Sequence, residues 1–495
     1  MDPIENAVGA LGKWQIMVSL LIFLSRFPVA FLHMAIIFIA PPVSYDCVTP
    51  RNLSACAPEC KEVQFDHSIF EETITTEWKL ICNKEHLANL SQTISMLGIL
   101  LGNLLISMWA DRIGRRFPLV LCVVAQLVTG VAASFVPWFW LFCLLKFLCA
   151  FTTGGIMTTS FVLLMEIIGI NRRAIMSVLF QLPFNVGHLI LPAYGYFLRQ
   201  WRWFQFAISF TSIIMLPYWC LLPESPRWLL LRGRIAEAAE ILKKGAQMNG
   251  LPDENIEADL IKESKKKKSS NAKPVAKGTI IDLFRTPPLA LETVIVCFVW
   301  FSFGLYFYGC AQYMGHISGN IFGNVAFGAA CTIPATLISI PALQYCGRKL
   351  YLIISNSISG IAMLIIACIS PDNEVPVIVL SSIGMLGMAA TLCNVYLYTG
   401  ELYPTVVRNI AVGIAAMTAR IGSMIAPFVV GLKKTEHYLP PIIFAAATLI
   451  GAVMVIWLPE TRNRPLGETI DDSKQLLAST DKFKFSNVSS NLNKV

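Results

Sequence analysis

Long apolar runs separated by short polar connections dominate the sequence. One connection, the DRIGRR turn at 111–116, joins apolar runs at 87–110 and 117–136 that are each about long enough to cross a bilayer. Gly114 permits the chain to reverse at this turn. Because short loops rich in Lys and Arg stay in the cytoplasm, the turn fixes the side of the membrane from which the other spans are counted.

Counting from this turn predicts twelve membrane spans. Six precede a polar central segment, at 14–40, 87–110, 118–136, 139–165, 174–198 and 203–222. Six follow it, at 290–312, 320–345, 350–370, 375–399, 410–432 and 438–458. The even number places both termini in the cytoplasm. The runs are helix-length rather than alternating strands of about ten residues, which favours an all-α membrane protein over a β-barrel.

Composition and charge narrow the class of protein. Hydrophobic residues make up 55% of the 495 positions, charged residues make up 14%, and the mean hydropathy is +0.61, as expected for a multi-pass membrane protein. The net charge of +8 lies mostly in short connections, where it indicates topology rather than a nucleic-acid surface. We find no nucleophile elbow, phosphate-cradling glycine loop or metal-ligand spacing, so we expect no enzyme activity, metal or cofactor.

The predicted spans group into two six-helix bundles. The predicted domains are an N-terminal bundle at 1–222, a cytoplasmic central segment at 223–289, a C-terminal bundle at 290–459 and a cytoplasmic tail at 460–495. Within the central segment, 235–244 has the periodicity of a short amphipathic helix at the membrane surface.

The polar segment at 43–86 is predicted to lie outside the cell. Its cysteines form an even set, Cys47, Cys56, Cys60 and Cys82. In an oxidising compartment this set predicts two disulfides, and four cysteines allow three pairings among which the sequence does not choose. Asn52 begins an Asn-Leu-Ser glycosylation acceptor on the same side.

The two halves of the chain repeat one another. Three pairs of motifs recur: Gly114-Arg115-Arg116 with Gly347-Arg348-Lys349, Glu166 with Glu401, and Pro223-Glu224-Ser225 with Pro459-Glu460-Thr461. Their offsets are 233, 235 and 236 residues. A parallel repeat of six-span units is typical of transporters whose two bundles rock about a central site.

These residues resemble the major facilitator superfamily. The turn is similar to its G-x-x-x-D-R-x-G-R-R motif, with Ser107 in place of the first glycine. TEWKLIC at 76–82, ELYPTVVR at 401–408 and WRW at 201–203 look like segments of the organic cation, anion and carnitine transporter family. The resemblance covers nearly the whole chain and implies a twelve-helix, two-bundle fold in the plasma membrane.

Charged residues at the ends of the spans are candidates for conformational gating. Charges there can couple to neighbouring helix dipoles and carboxylates, and so bias the conformational equilibrium without touching a solute. The predicted gating residues are Asp111, Arg112, Arg115, Arg116, Glu166, Glu224, Arg227, Glu401 and Arg408.

Arg420 lies about ten residues into the eleventh predicted span, too deep to reach the interface easily. A charge at mid-bilayer costs about 2.5 to 3.5 kcal/mol, so it faces either a partner or a cavity. Glu292, the carboxylate within the C-terminal spans, lies near a span end, which favours the cavity. By resemblance, Arg at this place implies a solute with an acidic group, which a guanidinium can hold through two hydrogen bonds.

Further candidates for solute contact come from the same resemblance. Phe307 and Tyr308 match a cavity-lining aromatic element of relatives, and aromatic walls suit ring-bearing solutes. Thr336 stands where some organic-anion transporters place a second cation, which argues against multivalent anions. The remaining candidates are Phe184, Tyr398, Lys146 and His188. For the last two, a helix-packing cation and a hydrogen-bonded structural histidine are alternatives.

The sequence therefore predicts a secondary transporter of small organic anions or zwitterions that works by alternating access. An organic-cation carrier and a non-transporting membrane receptor or scaffold on the same fold stay open as alternatives. The expected partners are the organic ion and the lipid bilayer, without nucleic acid. No motif specifies the energy coupling or the oligomeric state.

Overall fold

The computed structural model describes residues 3–49, 56–57, 60, 62–169, 172–269, 279–317, 319–370, 373–404 and 407–462. Asn52 and all of the tail after 462 lie outside the described residues, as do the side chains of Lys265 to Lys268. The glycosylation of Asn52 therefore stays a prediction.

The membrane spans are helices, as the hydropathy pattern predicts. Within the described ranges, ten helical stretches are long and apolar enough to cross a membrane: Lys13–Ile39, Cys82–Ile113, Phe139–Ile167, Ile175–Phe197, Trp201–Leu221, Pro287–Gly315, Ile321–Tyr345, Arg348–Cys368, Glu374–Leu402 and Ile410–Lys434. Two shorter apolar helices, Arg116–Ala132 and Leu439–Val455, occupy the third and twelfth predicted positions. All twelve predicted spans thus coincide with apolar helices, numbered below as spans 1 to 12.

Three spans are interrupted. Span 1 consists of helices Lys13–Leu24, Arg26–Met34 and Ile36–Ile39, and span 5 of Arg173–Leu179 and Leu182–Phe197. Span 6 consists of helix Trp201–Phe210, the 3-10 turn Thr211–Met215 and helix Tyr218–Leu221. Pro183 and Pro217 stand at the breaks in spans 5 and 6, where a residue without an N–H group cannot continue the hydrogen bonding of the preceding turn.

The remaining elements precede span 1, connect the spans or form their ends. They are helices Pro3–Val8, Ile74–Glu77, Pro226–Leu231, Ile235–Asn249 and Ile256–Ser269, the 3-10 turns Cys82–Lys84, Ile280–Phe284 and Leu432–Lys434, and strands Tyr45–Thr49 and Glu62–Phe65. The helix predicted at 235–244 extends to Asn249 and buries one face that includes Ala238, Leu242 and Ala246.

The chain divides into two compact units. The first comprises Met1–Asn271 and Ala311–Ile333, and the second comprises Ala272–Cys310 and Pro334–Val495. The end of span 7 and the first part of span 8 therefore group with the first unit. The sequence-based boundaries at 222, 289 and 459 describe membrane topology and stay a prediction.

The loop between spans 1 and 2 contains structure that the sequence did not predict. Strands Tyr45–Thr49 and Glu62–Phe65 form an antiparallel pair. Disulfides join Cys47 to Cys60 and Cys56 to Cys82, which confirms the expected two bridges and selects one of the three pairings.

Two of the family-like segments meet beside this loop. Glu77 accepts hydrogen bonds from Nε1 of Trp201, at 2.7 Å, and from Nε of Arg202, at 3.2 Å, and it also pairs with Nη2 of Arg202. The Trp78 ring packs on the Trp201 ring with centroids 5.3 Å apart. The TEW and WRW segments therefore anchor the loop between spans 1 and 2 to the start of span 6.

We predict that Glu77→Ala destabilises the protein by about 1.5 to 3 kcal/mol, because it leaves the Arg202 and Trp201 donors without their acceptor. Glu62→Ala, which removes an exposed carboxylate from the strand pair, is the control. The measurement is the melting temperature of each purified variant in detergent. Equal melting temperatures for the two variants would show that the Glu77 contacts contribute nothing.

Candidate functional site

The turn between spans 2 and 3 is held by a cluster of charges around Arg115. Nε and Nη2 of Arg115 donate to the two carboxylate oxygens of Glu166 at 3.2 and 3.0 Å, and Nη1 donates to Asp111 at 2.7 Å. Burial lowers the pKa of the Arg115 guanidinium, but the hydrogen bonds and charges of Glu166 and Asp111 outweigh it and leave that pKa above its ordinary value. The cluster therefore stabilises the cation that it surrounds.

Glu224 caps the same turn from the segment after span 6. Its carboxylate accepts hydrogen bonds from the backbone N–H of Arg115, at 2.8 Å, and from the backbone N–H of Arg116, at 3.2 Å. Gly114 has a φ of +120°, and a Cβ at this position would overlap Oε2 of Glu224. Glycine is thus required here both by the backbone conformation and by the close approach of Glu224.

The second unit repeats this arrangement. Arg348 donates from Nε and Nη2 to the two oxygens of Glu401, both at 3.0 Å. Glu460 accepts from the backbone N–H of Arg348 at 2.9 Å and from that of Lys349 at 3.0 Å. Gly347 has a φ of +82°. The three motif pairs found in the sequence therefore form the same hydrogen bonds in each unit.

The other predicted gating residues lie around these clusters. Nε of Arg227 donates to the carbonyl of Glu166 at 2.9 Å. Nε of Arg408 donates to the carbonyl of Tyr403 at 3.2 Å. Nη2 of Arg116 donates to the carbonyl of Trp219. Arg112 is exposed, and in the described part of the chain its side chain forms no ion pair.

Arg420 lies midway along span 11, in the second unit. Its Nη1 donates to the hydroxyl of Tyr308 at 3.0 Å, and its guanidinium carbon lies 6.0 Å from the centre of that ring. The Arg420 side chain is half-buried, and no carboxylate among the described residues lies within ion-pair distance of it. A deep guanidinium is therefore held by a neutral phenol, which leaves its positive charge uncompensated.

Close packing of spans 7 and 11 positions this pair. A Cβ on Gly304 would overlap the carbonyl of Ala419, and one on Gly422 would overlap the carbonyl of Phe301. Two glycines therefore allow the helix backbones to approach at the level of Arg420. Span 7 also supplies an aromatic surface beside it, because the Phe307 ring lies 5.4 Å from the Tyr308 ring and 5.6 Å from the Phe303 ring.

Two further candidates of the second unit are fully buried. The hydroxyl of Tyr398 donates to the carbonyl of Pro459 at 2.6 Å, which places it next to Glu460 and the turn cluster. Thr336 is buried in span 8. A contact of either residue with a solute stays a prediction.

The first unit contains a second group of candidates, on spans 1 and 5. The Phe184 ring lies 6.0 Å from the His33 ring and 5.4 Å from the guanidinium carbon of Arg26. That guanidinium also lies 4.3 Å from the Phe180 ring. His188 is buried, and neither of its ring nitrogens has a hydrogen-bond partner among the described residues. The sequence singled out Phe184 and His188, whereas Arg26 was not among the predicted site residues.

Lys146 lies in the interior of the first unit. Its side chain is 6% exposed, and Nζ donates to Oε1 of Gln205 on span 6 at 3.3 Å. Nε2 of Gln205 donates to Ser209 at 2.8 Å. Hydropathy does not reveal Gln205 as a partner, because a single amide in an apolar run leaves no pattern.

Comparisons with known proteins agree with this fold. The family described as Sugar (and other) transporter matches residues 17–471. Organic anion transporter 3 of Homo sapiens is 35% identical over 441 residues, which cover 88% of this chain and 80% of that protein. Organic cation transporter protein of Drosophila melanogaster is 32% identical over 418 residues, which cover 84% and 76%.

A further relative and a solved structure extend the comparison. Solute carrier family 22 member 20 of Mus musculus is 35% identical over 407 residues, which cover 82% of this chain and 73% of that protein. The xylose transporter XylE from E. coli, in a partially occluded inward open conformation, aligns with a TM-score of 0.67 and 18% identity over 92% of this chain and 100% of its own. At this identity the structural likeness shows the fold alone.

We predict that Gly114→Ala destabilises the protein more than Gly233→Ala does. Both glycines have positive φ, but nothing lies within 4 Å of a Cβ at Gly233, whereas a Cβ at Gly114 meets Glu224. The control should therefore cost only the backbone term, about 1 to 2 kcal/mol. The measurement is the melting temperature of both variants in detergent. Equal decreases in melting temperature would mean that the Glu224 cap does not contribute to stability.

Proposed function

The chain belongs to the Sugar (and other) transporter family of the major facilitator superfamily, beside relatives named organic anion and organic cation transporters, and we propose that its solutes are organic anions or zwitterions. It is a multi-pass membrane transporter that works by alternating access, not an enzyme. We place it in the plasma membrane, with the disulfide-bonded loop outside and both termini inside.

The observation that supports this proposal is the environment of Arg420. Its guanidinium is deep in span 11, and its side-chain hydrogen bond within the described residues goes to the neutral hydroxyl of Tyr308. An uncompensated cation at this depth is costly, and an anionic group of a solute would offset that cost while it is bound. A carboxylate or sulfonate can accept two parallel hydrogen bonds from the planar guanidinium.

The neighbouring side chains favour a particular kind of anion. The Tyr308 ring lies beside the guanidinium and packs against Phe307, which stacks on Phe303. This aromatic cluster suits a solute with a ring or another apolar body. Thr336 is neutral, so we expect one acidic group rather than two. A zwitterion with one acidic group meets the same requirement.

We propose that the two charge clusters gate the transport cycle. Each joins span ends to a carboxylate from the segment that follows the sixth or the twelfth span, through Glu224 and Glu460 respectively. Contacts of this kind can form in one conformation and break in another. Breaking these contacts would then limit the rate of the transport cycle, although neither cluster contacts the solute.

We predict that Arg420→Ala reduces the apparent affinity for an aromatic sulfonate by about thirtyfold to several thousandfold, because removing one partner of a desolvated charged contact costs about 2 to 5 kcal/mol. Arg420→Lys retains the charge without the planar fork and should show a smaller loss. Arg285→Ala, at a side chain that is 73% exposed, is the control. The measurement is concentration-dependent uptake normalised to protein at the cell surface.

Three outcomes would contradict this proposal. If Arg420→Ala reaches the surface and carries the sulfonate with unchanged kinetics, Arg420 has only a structural role. If the unaltered protein carries quaternary amines and not sulfonates, it is an organic-cation carrier. If it carries neither class, a receptor or scaffold on this fold becomes the better explanation.

We predict that Asp111→Asn lowers the turnover number by at most about fivefold and leaves the KM for the solute nearly unchanged. The expected effect is small because the Asp111 carboxylate is 66% exposed, and exposed ion pairs contribute about 1 kcal/mol or less. Uptake kinetics of Asp111→Asn and of a control, Asp66→Asn in the outer loop, provide the measurement. A raised KM with normal turnover would count against a gating role.

A further inference from the structure

Span 7 contains a buried carboxyl group that neither the turn clusters nor the Arg420 site uses. Glu292 lies five residues after Pro287, the first residue of this helix, and it is 4% exposed. Its Oε2 is buried and has no hydrogen-bond partner among the described residues. No Lys, Arg or His in those residues forms an ion pair with it.

The neighbouring hydroxyl groups of Tyr398, Tyr403 and Thr293 donate their hydrogen bonds to groups other than Glu292. Tyr398 and Tyr403, from the end of span 10, lie within electrostatic range of the carboxyl. The Tyr403 hydroxyl donates to Oγ1 of Thr293 at 3.2 Å, and the Tyr398 hydroxyl donates to the carbonyl of Pro459 at 2.6 Å. The Thr293 hydroxyl donates to the carbonyl of Leu289 at 2.7 Å. Each of these donors is thus already engaged.

The charged groups farther out do not compensate a charge on Glu292 either. Glu401 and Glu460 also act on Tyr398, and both are negative. Arg348 donates to both of these carboxylates. Cys297, which acts on Tyr403 as Glu292 does, adds only a thiol. Arg408, at the start of span 11, interacts with Glu401. An ionised Glu292 would therefore be a desolvated anion without a cation of its own, because Arg348 and Arg408 interact with Glu401.

Burying such an anion is unfavourable in free energy, and binding one proton removes most of that penalty. An unpaired carboxylate loses several kcal/mol of hydration on burial, whereas a carboxylic acid loses much less. We propose that Glu292 is a proton-binding site that makes the transport cycle depend on pH, an inference that rests on the transport function proposed above.

The proton step needs no further reactant. Where water reaches the group, a carboxylate oxygen accepts a proton from hydronium and forms an O–H bond. When a conformational change hydrates the group again, that bond breaks and the proton returns to water. The conformation described here buries the group and so requires the protonated form. The rate of cycling through this conformation must therefore fall as the pH rises.

The test uses the full-length protein reconstituted in liposomes, with 1-naphthalenesulfonate as solute because its sulfonate stays anionic from about pH 5.5 to about pH 8.5. Uptake by the unaltered protein should fall with rising pH by up to about tenfold per unit, the limit for one proton. Glu292→Gln mimics the protonated group and should make uptake nearly independent of pH. The control is Glu436→Gln, which changes an exposed carboxylate in the same unit and should keep the original slope.

Thermal stability in detergent provides a readout that does not involve a solute. As the pH rises, the unfolded chain loses the Glu292 proton more readily than the folded protein does, so the folded protein becomes less stable. The melting temperature of the unaltered protein should therefore fall progressively below that of Glu292→Gln at high pH. The two should converge at low pH, which also shows that the variant is folded.

The outcomes separate the two proposals. If the melting temperatures diverge with pH but no sulfonate is carried, the proton site stands and the proposed solute class is wrong. If sulfonate is carried and Glu292→Gln keeps the pH dependence of the unaltered protein, Glu292 binds no functional proton. Parallel melting curves for the two proteins at all pH values would overturn the inference by themselves.

Discussion

An ionised side chain that has lost its water must find a partner, and this constraint explains the arrangement of charges in both units. Arg115 and Arg348 lie at span ends, where carboxylates from two different segments surround them. Arg420 and Glu292 lie within spans, where the described residues offer neither one an opposite charge. The first pair serves to hold helices together. We propose that Arg420 and Glu292 each take a charge from outside the protein, an organic anion for the arginine and a proton for the glutamate.

The repeated turn clusters show how local sequence determines contacts between helix ends. A positive-φ glycine reverses the chain, its missing Cβ lets a carboxylate approach the two following N–H groups, and the arginine side chain reaches a glutamate on another span. Each step depends on the one before it. The arrangement therefore acts as a unit, and its hydrogen bonds can be lost together when the helix ends separate. The same geometry at Gly347 gives the second unit an equivalent contact.

Much of this structure could be predicted from the sequence, because a membrane imposes simple rules. Apolar runs must become helices to satisfy their own backbone, so the spans follow from hydropathy. The motif offsets indicated that Glu224 and Glu460 have equivalent roles. The strand pair in the loop between spans 1 and 2 and the pairing of Cys47 with Cys60 were not predictable, because they depend on how a polar segment folds back on itself. The same is true of the Lys146 contact with Gln205, since no local pattern marks it.

Two solutes of one shape and opposite charge can decide whether Arg420 selects an acidic group. The measurement is the uptake of labelled 1-naphthalenesulfonate by reconstituted protein, in competition with unlabelled naphthalene carrying either a sulfonate or a trimethylammonium group. A guanidinium that faces the solute predicts strong inhibition by the sulfonate and little by the ammonium compound, since a like charge beside a desolvated cation is repelled. Equal inhibition by both, or stronger inhibition by the ammonium compound, would contradict selection by Arg420.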